Sequence, residues 1–298
     1  MLQYHIGCSG WSYSAWQGPF YPPHMKNSSD WLRYYASVFD YVEIDSSFYR
    51  MPNTFMVKNW FKKTPENFRF TAKFPKVITH DKRLKNISKE LDYFHKAMLP
   101  LKDKTLALLI QLPPSLKISE GIQNMRQHLL PELDSNNFRY TVEVRDRSWF
   151  QDLAYNFFTD NNICMVWSQL AELRTPPIAT TDFLYVRFIG DRSINEKDFG
   201  KVQKDRVMEM KKWSGKLKRV IKEEEGRGRG GRRRSINFAI VSANNHYAGF
   251  GPETANIVRK MIGLPSINWQ EAKRKYDKLV QTDNANISSE QKSLSDYL

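Results

Sequence analysis

Glu43 and Asp45 close the run YVEID (41–45), and Glu143 and Arg145 close YTVEVR (140–145). Lys73 stands near the end of FRFTAKF (68–74), and Arg187 lies in FLYVRF (183–188). Residues two apart fall on one face of a β-strand, so each of the first two pairs points the same way. Carboxylates among mixed charges acquire different pKa values, which is how one becomes a general acid and another a base. Lysine and arginine in the same layer bind phosphate or carboxylate oxygens. These six residues suggest hydrolysis of an anionic substrate, with Glu43 and Glu143 as the acid/base pair and Asp45 orienting or holding a metal. The alternative for the same residues is an ion-pair network that fills a core and neutralises itself.

Such side chains converge only if their strands share a sheet. Eight β-rich runs are present: 4–10, 41–45, 68–74, 106–112, 140–145, 163–167, 183–188 and 236–244. Between them, apolar residues at three-and-four spacing predict helices over 28–39, 54–64, 88–101, 121–133 and 151–161. A helix around 201–225, another from near Pro252 and an amphipathic segment over 268–281 follow. Ser28 or Ser29 is expected to cap the first helix. The stretch 168–182, with Pro176 and Pro177, is expected to be irregular, and the polar tail 281–298 to fray. Eight strand and helix units in 298 residues fit a parallel (β/α)₈ TIM barrel better than a doubly wound sheet. No G-x-G-x-x-G follows the first strand, so no nucleotide cofactor is indicated.

In a closed barrel, alternate side chains face the helices and the axis. Giving the continuously apolar set to the helices leaves Gly7, Ser9 and Trp11 facing inward in the first strand, Glu43 and Asp45 in the second, and Thr71 and Lys73 in the third. Gln111, then Glu143 and Arg145, then Trp167, then Tyr185 and Arg187, then Ser242 and Asn244 complete the ring. By the same parity Cys8 and Cys164 face the helices as packing thiols. Barrel enzymes build their sites where strands end, so these residues predict a pocket at the C-terminal mouth. Trp11, Tyr13, Tyr49, Trp149 and Trp167 would flank it, although Trp149, after Asp146 in the same loop, fits simple packing equally well. His80 and His246 follow the third and eighth strands and could donate a proton or touch a ligand at the rim. Asn244 and Asn245 precede the helix near Pro252, where barrels often hold phosphate; helix capping explains the same cluster. The other histidines fit surface or packing positions, so no multi-histidine zinc site is expected, whereas Mg²⁺ on Glu43, Asp45 and Glu143 is compatible with these carboxylates.

The motifs GCSGWSY (7–13), W-x-G-x-F-Y-P-P (16–23), VEIDSSFYRMP (42–52), FTAKFPKVITHDKRL (70–84), LIQLPPSL (109–116), VEVRDRSWF (142–150) and NNHYAGFGPETA (244–255) run in one order. Together they resemble the YecE-like family, also called domain of unknown function 72, over roughly residues 3–265. The resemblance implies a TIM barrel and no particular activity. Two parts look like additions to the family pattern: the basic segment 216–234 between strands seven and eight, and the helix and polar tail at 266–298.

The chain carries 46 Lys and Arg against 32 Asp and Glu, a net charge of +14, which favours phosphate-bearing partners. Arg227, Arg229, Arg232, Arg233 and Arg234 lie among glycines in GRGRGGRRR, a composition that suits either a solvated loop or an arm tracking an RNA or DNA backbone. A nucleic-acid-binding protein is thus the second functional reading, beside a hydrolase acting on a nucleic-acid fragment or sugar phosphate. No apolar run approaches the roughly 18 residues of a membrane span, and two cysteines make no disulfide framework, so a cytoplasmic protein without membrane partners is expected.

Overall fold

The computed structural model describes residues 2–191, 193–226 and 235–295. Nine parallel strands form one sheet: β1 (Gln3–Ser9), β2 (Tyr41–Ile44), β3 (Arg69–Lys73), β4 (Thr105–Gln111), β5 (Tyr140–Glu143), β6 (Ile163–Met165), β7 (Trp167–Leu170), β8 (Phe183–Gly190) and β9 (Phe238–Ala243). Their order is β6-β5-β4-β3-β2-β1-β9-β8-β7. The two ends of this order are one chain segment, because β6 and β7 are separated by Val166 alone. β6 pairs with β5 and β7 with β8, so the segment closes the ring at an eighth position. All eight predicted strands are present and the fold is the expected TIM-like barrel. After β7 the chain to residue 182 is irregular, as its prolines predict.

The outer layer comprises α1 (Ser28–Val38), α2 (Ser46–Tyr49), α3 (Thr54–Lys63), α4 (Ser88–Met98), α5 (Ile118–Asn124), α6 (Asp152–Asp160), α7 (Val207–Gly226), α8 (Asn245–Ala248), α9 (Gly251–Ile262) and α10 (Trp269–Ser295). The cap of α1 is Asn27 rather than Ser28 or Ser29: its side chain accepts from Asp30 N at 2.9 Å, and both serines fall inside the helix. The expected fray after residue 281 gives way to α10, which continues to Ser295. No described helix is long and apolar enough to cross a membrane.

Two apolar clusters divide the interior. The larger lies between strands and helices, and the smaller fills the lower lumen with Tyr41, Ala107, Leu109, Cys164, Val166, Phe183, Tyr185 and Ile240 among its members. This second cluster corrects the parity of the sixth position. Cys164 aligns with inward Thr141 and Ser168 with inward Arg187, so Cys164 faces the lumen and Trp167 faces the helices. ICMVW is apolar on both faces, so alternation carries no signal there. Cys8 does pack outward, its amide donating to Tyr35 Oη at 2.7 Å. Both thiols are unpaired and buried, and burial pushes that of Cys164 up to about 12.

Candidate functional site

Above the apolar lumen the barrel fills with polar side chains. Tyr41, Thr71 and Tyr185 bring their hydroxyls within 2.7–3.0 Å of one another across the axis. Over them Arg187, from β8, reaches two strands at once. Its Nε donates to Glu43 Oε2 at 2.8 Å and one terminal nitrogen to Glu43 Oε1 at 2.5 Å, while the other meets Glu143 Oε2. Tyr185 also donates to Glu43 Oε2. Burial raises the Tyr185 pKa, and the neighbouring Glu43 charge raises it further, so the phenol remains a donor. The second oxygen of Glu143 accepts from Arg145 Nε, and Arg145 passes another donor to Gln111 Oε1 at 3.0 Å.

Glu43 and Glu143 are fully buried, and at Glu143 desolvation opposes the charge. At Glu143 the positive charges of Arg145 and Arg187 outweigh it and hold the carboxyl below the usual range. An ionised Glu143 cannot serve as a general acid near neutral pH. Mg²⁺ on Glu43, Asp45 and Glu143 does not fit this arrangement. Both glutamates direct their oxygens at arginine, Asp45 turns to Lys73, and the described residues hold no cluster of three metal-ligating side chains.

The rim differs from this floor. Arg145 remains 15% exposed and Asp45 23% exposed. Lys73 Nζ lies 3.2 Å from Asp45 Oδ1 and 4.1 Å above the Phe48 ring. His80 stands with its edge to the same ring, at 4.9 Å between centroids. Gln111 offers a ligand its amide N–H pair, since its oxygen faces Arg145. Tyr49, also against Phe48, is largely exposed. Ser9 and Ser242 share a hydrogen bond of 2.9 Å, which spends one hydroxyl on the other.

Trp11 and Trp167 are placed otherwise than expected, while Trp149 takes the packing alternative. Trp11 donates to Ser28 O at 3.3 Å and packs edge-on against Trp60. Trp149 donates to Leu116 O at 2.9 Å and stacks on Phe158. Trp167 donates to Ile178 O at 2.8 Å. Each buried indole needs an acceptor for its N–H and finds a backbone carbonyl: Trp11 at the first residue of α1, Trp149 and Trp167 in connecting segments that they pin to the barrel. Asp146 is likewise structural: it accepts from Ser148 N and pairs with Lys117, whose hydrogen bond holds the carboxyl down at about 2.

The asparagines after β9 cap and brace. Asn244 accepts from His246 N, while Asn245 accepts from Trp16 Nε1 at 3.1 Å and Gly251 N at 2.8 Å. His246 faces Glu196 at 3.3 Å and the edge of Phe199. The chain following β8 covers this side: Gln203 N donates to Ala248 O and Gly200 N to Gly249 O. Gly190 permits that approach, having φ of +76° and space so tight that a Cβ would meet His246 O at 2.2 Å. Arg227, Arg229, Arg232, Arg233 and Arg234 lie outside the described residues. Their flanks are the C-terminal end of α7 and the approach to β9, at the barrel end opposite the mouth.

A closed parallel α/β barrel with its charged side chains gathered where the strands end defines a protein of the TIM-barrel class with a polar mouth. Within that class, the chain belongs to the family described as protein of unknown function DUF72, whose model matches residues 5–276. The match runs past Pro265 into α10, so the family unit includes the start of the last helix. The UPF0759 protein YecE of Escherichia coli K12 is 30% identical over 146 residues, covering 49% of this chain and 50% of that protein. The UPF0759 protein YunF of Bacillus subtilis 168 is 30% identical over 160 residues, covering 51% and 54%. The matched region thus spans about half the length of these curated relatives. A DUF72 family crystal structure from Thermotoga maritima MSB8 superposes with a TM-score of 0.69 at 26% identity, over 87% of this chain and 99% of that one. Another, from Enterococcus faecalis V583, gives 0.67 at 21% identity over 89% and 99%, a likeness of fold.

Proposed function

We propose that the barrel mouth is the active site of a hydrolase acting on a small phosphate ester, a sugar phosphate or nucleic-acid fragment. Lys73 and Arg145 bind the phosphoryl oxygens, and Gln111 adds amide donors beside them. Asp45 holds Lys73 at the rim. Glu43 and Glu143 serve beneath as positioning residues: they fix the two arginine planes and supply counter-charge, so the guanidinium of Arg145 stays oriented before a ligand arrives. The observation that carries this reading is the division of one charge layer into a buried, mutually satisfied floor and a partly exposed edge formed by Arg145, Gln111 and Asp45, with Lys73 buried and paired with Asp45 beside them. A network serving stability alone has no need of the second tier. Two buried, unpaired thiols support placing the protein in a reducing compartment such as the cytoplasm.

The test is a turnover screen of the full chain against phosphomonoesters, sugar phosphates and short oligonucleotide diesters, with Arg145→Gln and Asp45→Asn in parallel. Hydrolysis that falls at least tenfold in Arg145→Gln, in a variant with unchanged circular dichroism, supports the reading. Absence of turnover across the panel, or turnover indifferent to both substitutions, overturns it.

A further inference from the structure

The segment after β3 is built in an unusual way. Residues Val77–Asp81 form a wide turn in which Lys82 N donates to Val77 O at 3.0 Å, five residues back. Such π-type turns are rare and concentrate at functional sites. Just beyond it, Arg83, Leu84 and Asn86 take left-handed φ values of +51°, +68° and +51°. Each non-glycine residue in that region costs about 1 kcal/mol or more. The anchors that offset this are on view: Leu84 is fully buried, Arg83 binds Glu120 at 2.6 and 3.0 Å, and Asn124 Nδ2 donates to Arg83 O at 2.9 Å. What the strained segment achieves is the placement of two neighbours on opposite sides, Thr79 buried and His80 at the mouth.

Those neighbours are coupled. Thr79 Oγ1 lies 2.9 Å from His80 Nδ1 and 3.5 Å from Pro75 O. The tautomer decides which atom donates across the 2.9 Å contact; with Nδ1–H donating to Thr79 Oγ1, the lone pair of the imidazole is on Nε2. The groups facing the ring are Lys73 at the end of β3, Arg145 above β5, and Lys76 and Asp81 on its own segment. Burial first, then these three cations against the one carboxylate, bring the His80 pKa down to about 4. That direction keeps the ring neutral near pH 7, with one ring nitrogen as donor and the other open to accept a proton.

Resting on the hydrolase reading, we propose that Nε2 of His80 is the proton acceptor of the mouth, with Thr79 as the positioning residue that fixes its tautomer. Water attacks a phosphoryl group held by Lys73 and Arg145. As the new O–P bond forms, the water proton passes to Nε2, the P–O ester bond breaks, and the departing oxygen takes a proton from solvent. The imidazolium later returns its proton to solvent. Charge balance favours this order. Glu43, Asp45 and Glu143 offset Lys73, Arg145 and Arg187, so a bound dianion leaves the mouth negative and draws a proton to the nearest neutral base. Substrate binding and basicity thus rise together, as linkage demands.

Side-chain NMR of the full chain, ¹⁵N-labelled at histidine and titrated with inorganic phosphate, tests this, with His80→Gln identifying the signal. The expected result is an unprotonated Nε2 in the free protein and a titration midpoint that rises by about 1–3 pH units when phosphate saturates the mouth. His80→Gln is expected to lower kcat about 10²-fold or more with little change in KM. Thr79→Val is expected to shift the tautomer toward Nε2–H and change the acid limb of the pH profile. If phosphate binds in an Arg145-dependent manner and the His80 midpoint stays still, the inference fails while the hydrolase reading stands. If no Arg145-dependent phosphate binding occurs, both fall. An unchanged tautomer in Thr79→Val removes the positioning role.

Discussion

The two halves of the barrel mouth use similar residues for opposite ends. On the arc from β8 through β9 to β1, polar and aromatic side chains are spent on each other: Asn245 joins Trp16 to the start of α9, Tyr247 donates to Gln169 at 3.0 Å, and Phe199 sets its edge on Tyr13 and His246. The chain after β8 lies over this arc. On the arc from β2 to β5, Asp45, Gln111, Arg145 and His80 stand around a rim that keeps partial solvent access, with Lys73 buried and paired with Asp45. A residue type alone therefore does not mark a site. What distinguishes the arcs is whether a second piece of chain supplies the partner.

The floor shared by both arcs is where substitution should cost most. Arg187→Met removes the cation between Glu43 and Glu143 and leaves two buried carboxylates facing one another. Breaking a buried pair on one side typically costs about 3–5 kcal/mol. Urea unfolding of Arg187→Met is expected to show a loss in or above that range. A loss under about 1 kcal/mol would mean that the floor is hydrated and that the division into two tiers is wrong. The next largest effect separates the arcs. Asn245→Ala removes an acceptor shared by an indole and a helix N-terminus, a loss of about 1–3 kcal/mol in stability. Phosphate affinity measured by calorimetry is expected to be unchanged. Arg145→Gln should instead weaken phosphate binding, with a stability loss smaller than that of Arg187→Met because Arg187 still partners Glu143.

A pH experiment sharpens the same contrast at smaller amplitude. His80 at the mouth and His5 at the opposite end of the barrel are both held down to about 4, in each case first by burial, with Arg69 adding to the effect at His5. Unfolded histidines titrate near 6.5. Between those values the unfolded chain binds protons that the folded chain refuses, so stability falls as pH drops from about 6.5 to about 4 and is flat above. The slope at pH 5 is expected to report close to one proton from each residue. His80→Gln should remove one share, and saturating phosphate, which raises the His80 midpoint by about 1–3 pH units, should remove between about half and all of it. The His5 share should persist under both treatments.

Most of the framework is legible in the sequence, because each strand with one apolar face announces its register. Glu43, Glu143, Arg145 and Arg187 come together as alternation in YVEID, YTVEVR and FLYVRF predicts. ICMVW failed because both of its faces are apolar, which inverted Cys164 and Trp167. Trp11 and Trp167 differ for another reason: an indole near a strand end has the same appearance in sequence whether its N–H meets a ligand or a backbone carbonyl, the ambiguity already present for Trp149. The turn that presents His80 also left no periodic signal, since it depends on Leu84 being buried and on Arg83 finding Glu120 thirty-seven residues away. That His80 is followed closely by a run of bulky and charged residues with no glycine, yet with left-handed backbone, could not be read from composition.

The smallest expected effect concerns the basic tract. Its sequence suggests affinity for phosphate-bearing ligands, but its described flanks are at the α7 end and the β9 start, where the chain enters the barrel rather than where the strands finish. Over such a separation, charges interact through more than one Debye length at physiological salt, about 8 Å, and are largely screened. Deleting residues 227–234 is therefore expected to alter phosphate affinity at the mouth by less than about twofold at 0.15 M salt. Any binding of a nucleic-acid strand that the deletion does abolish should weaken steeply with added salt and be insensitive to Arg145→Gln. A large loss of phosphate binding on deletion would mean that the tract contributes at the open arc, and would erase the contrast between the mouth and the end of the barrel where its described flanks lie.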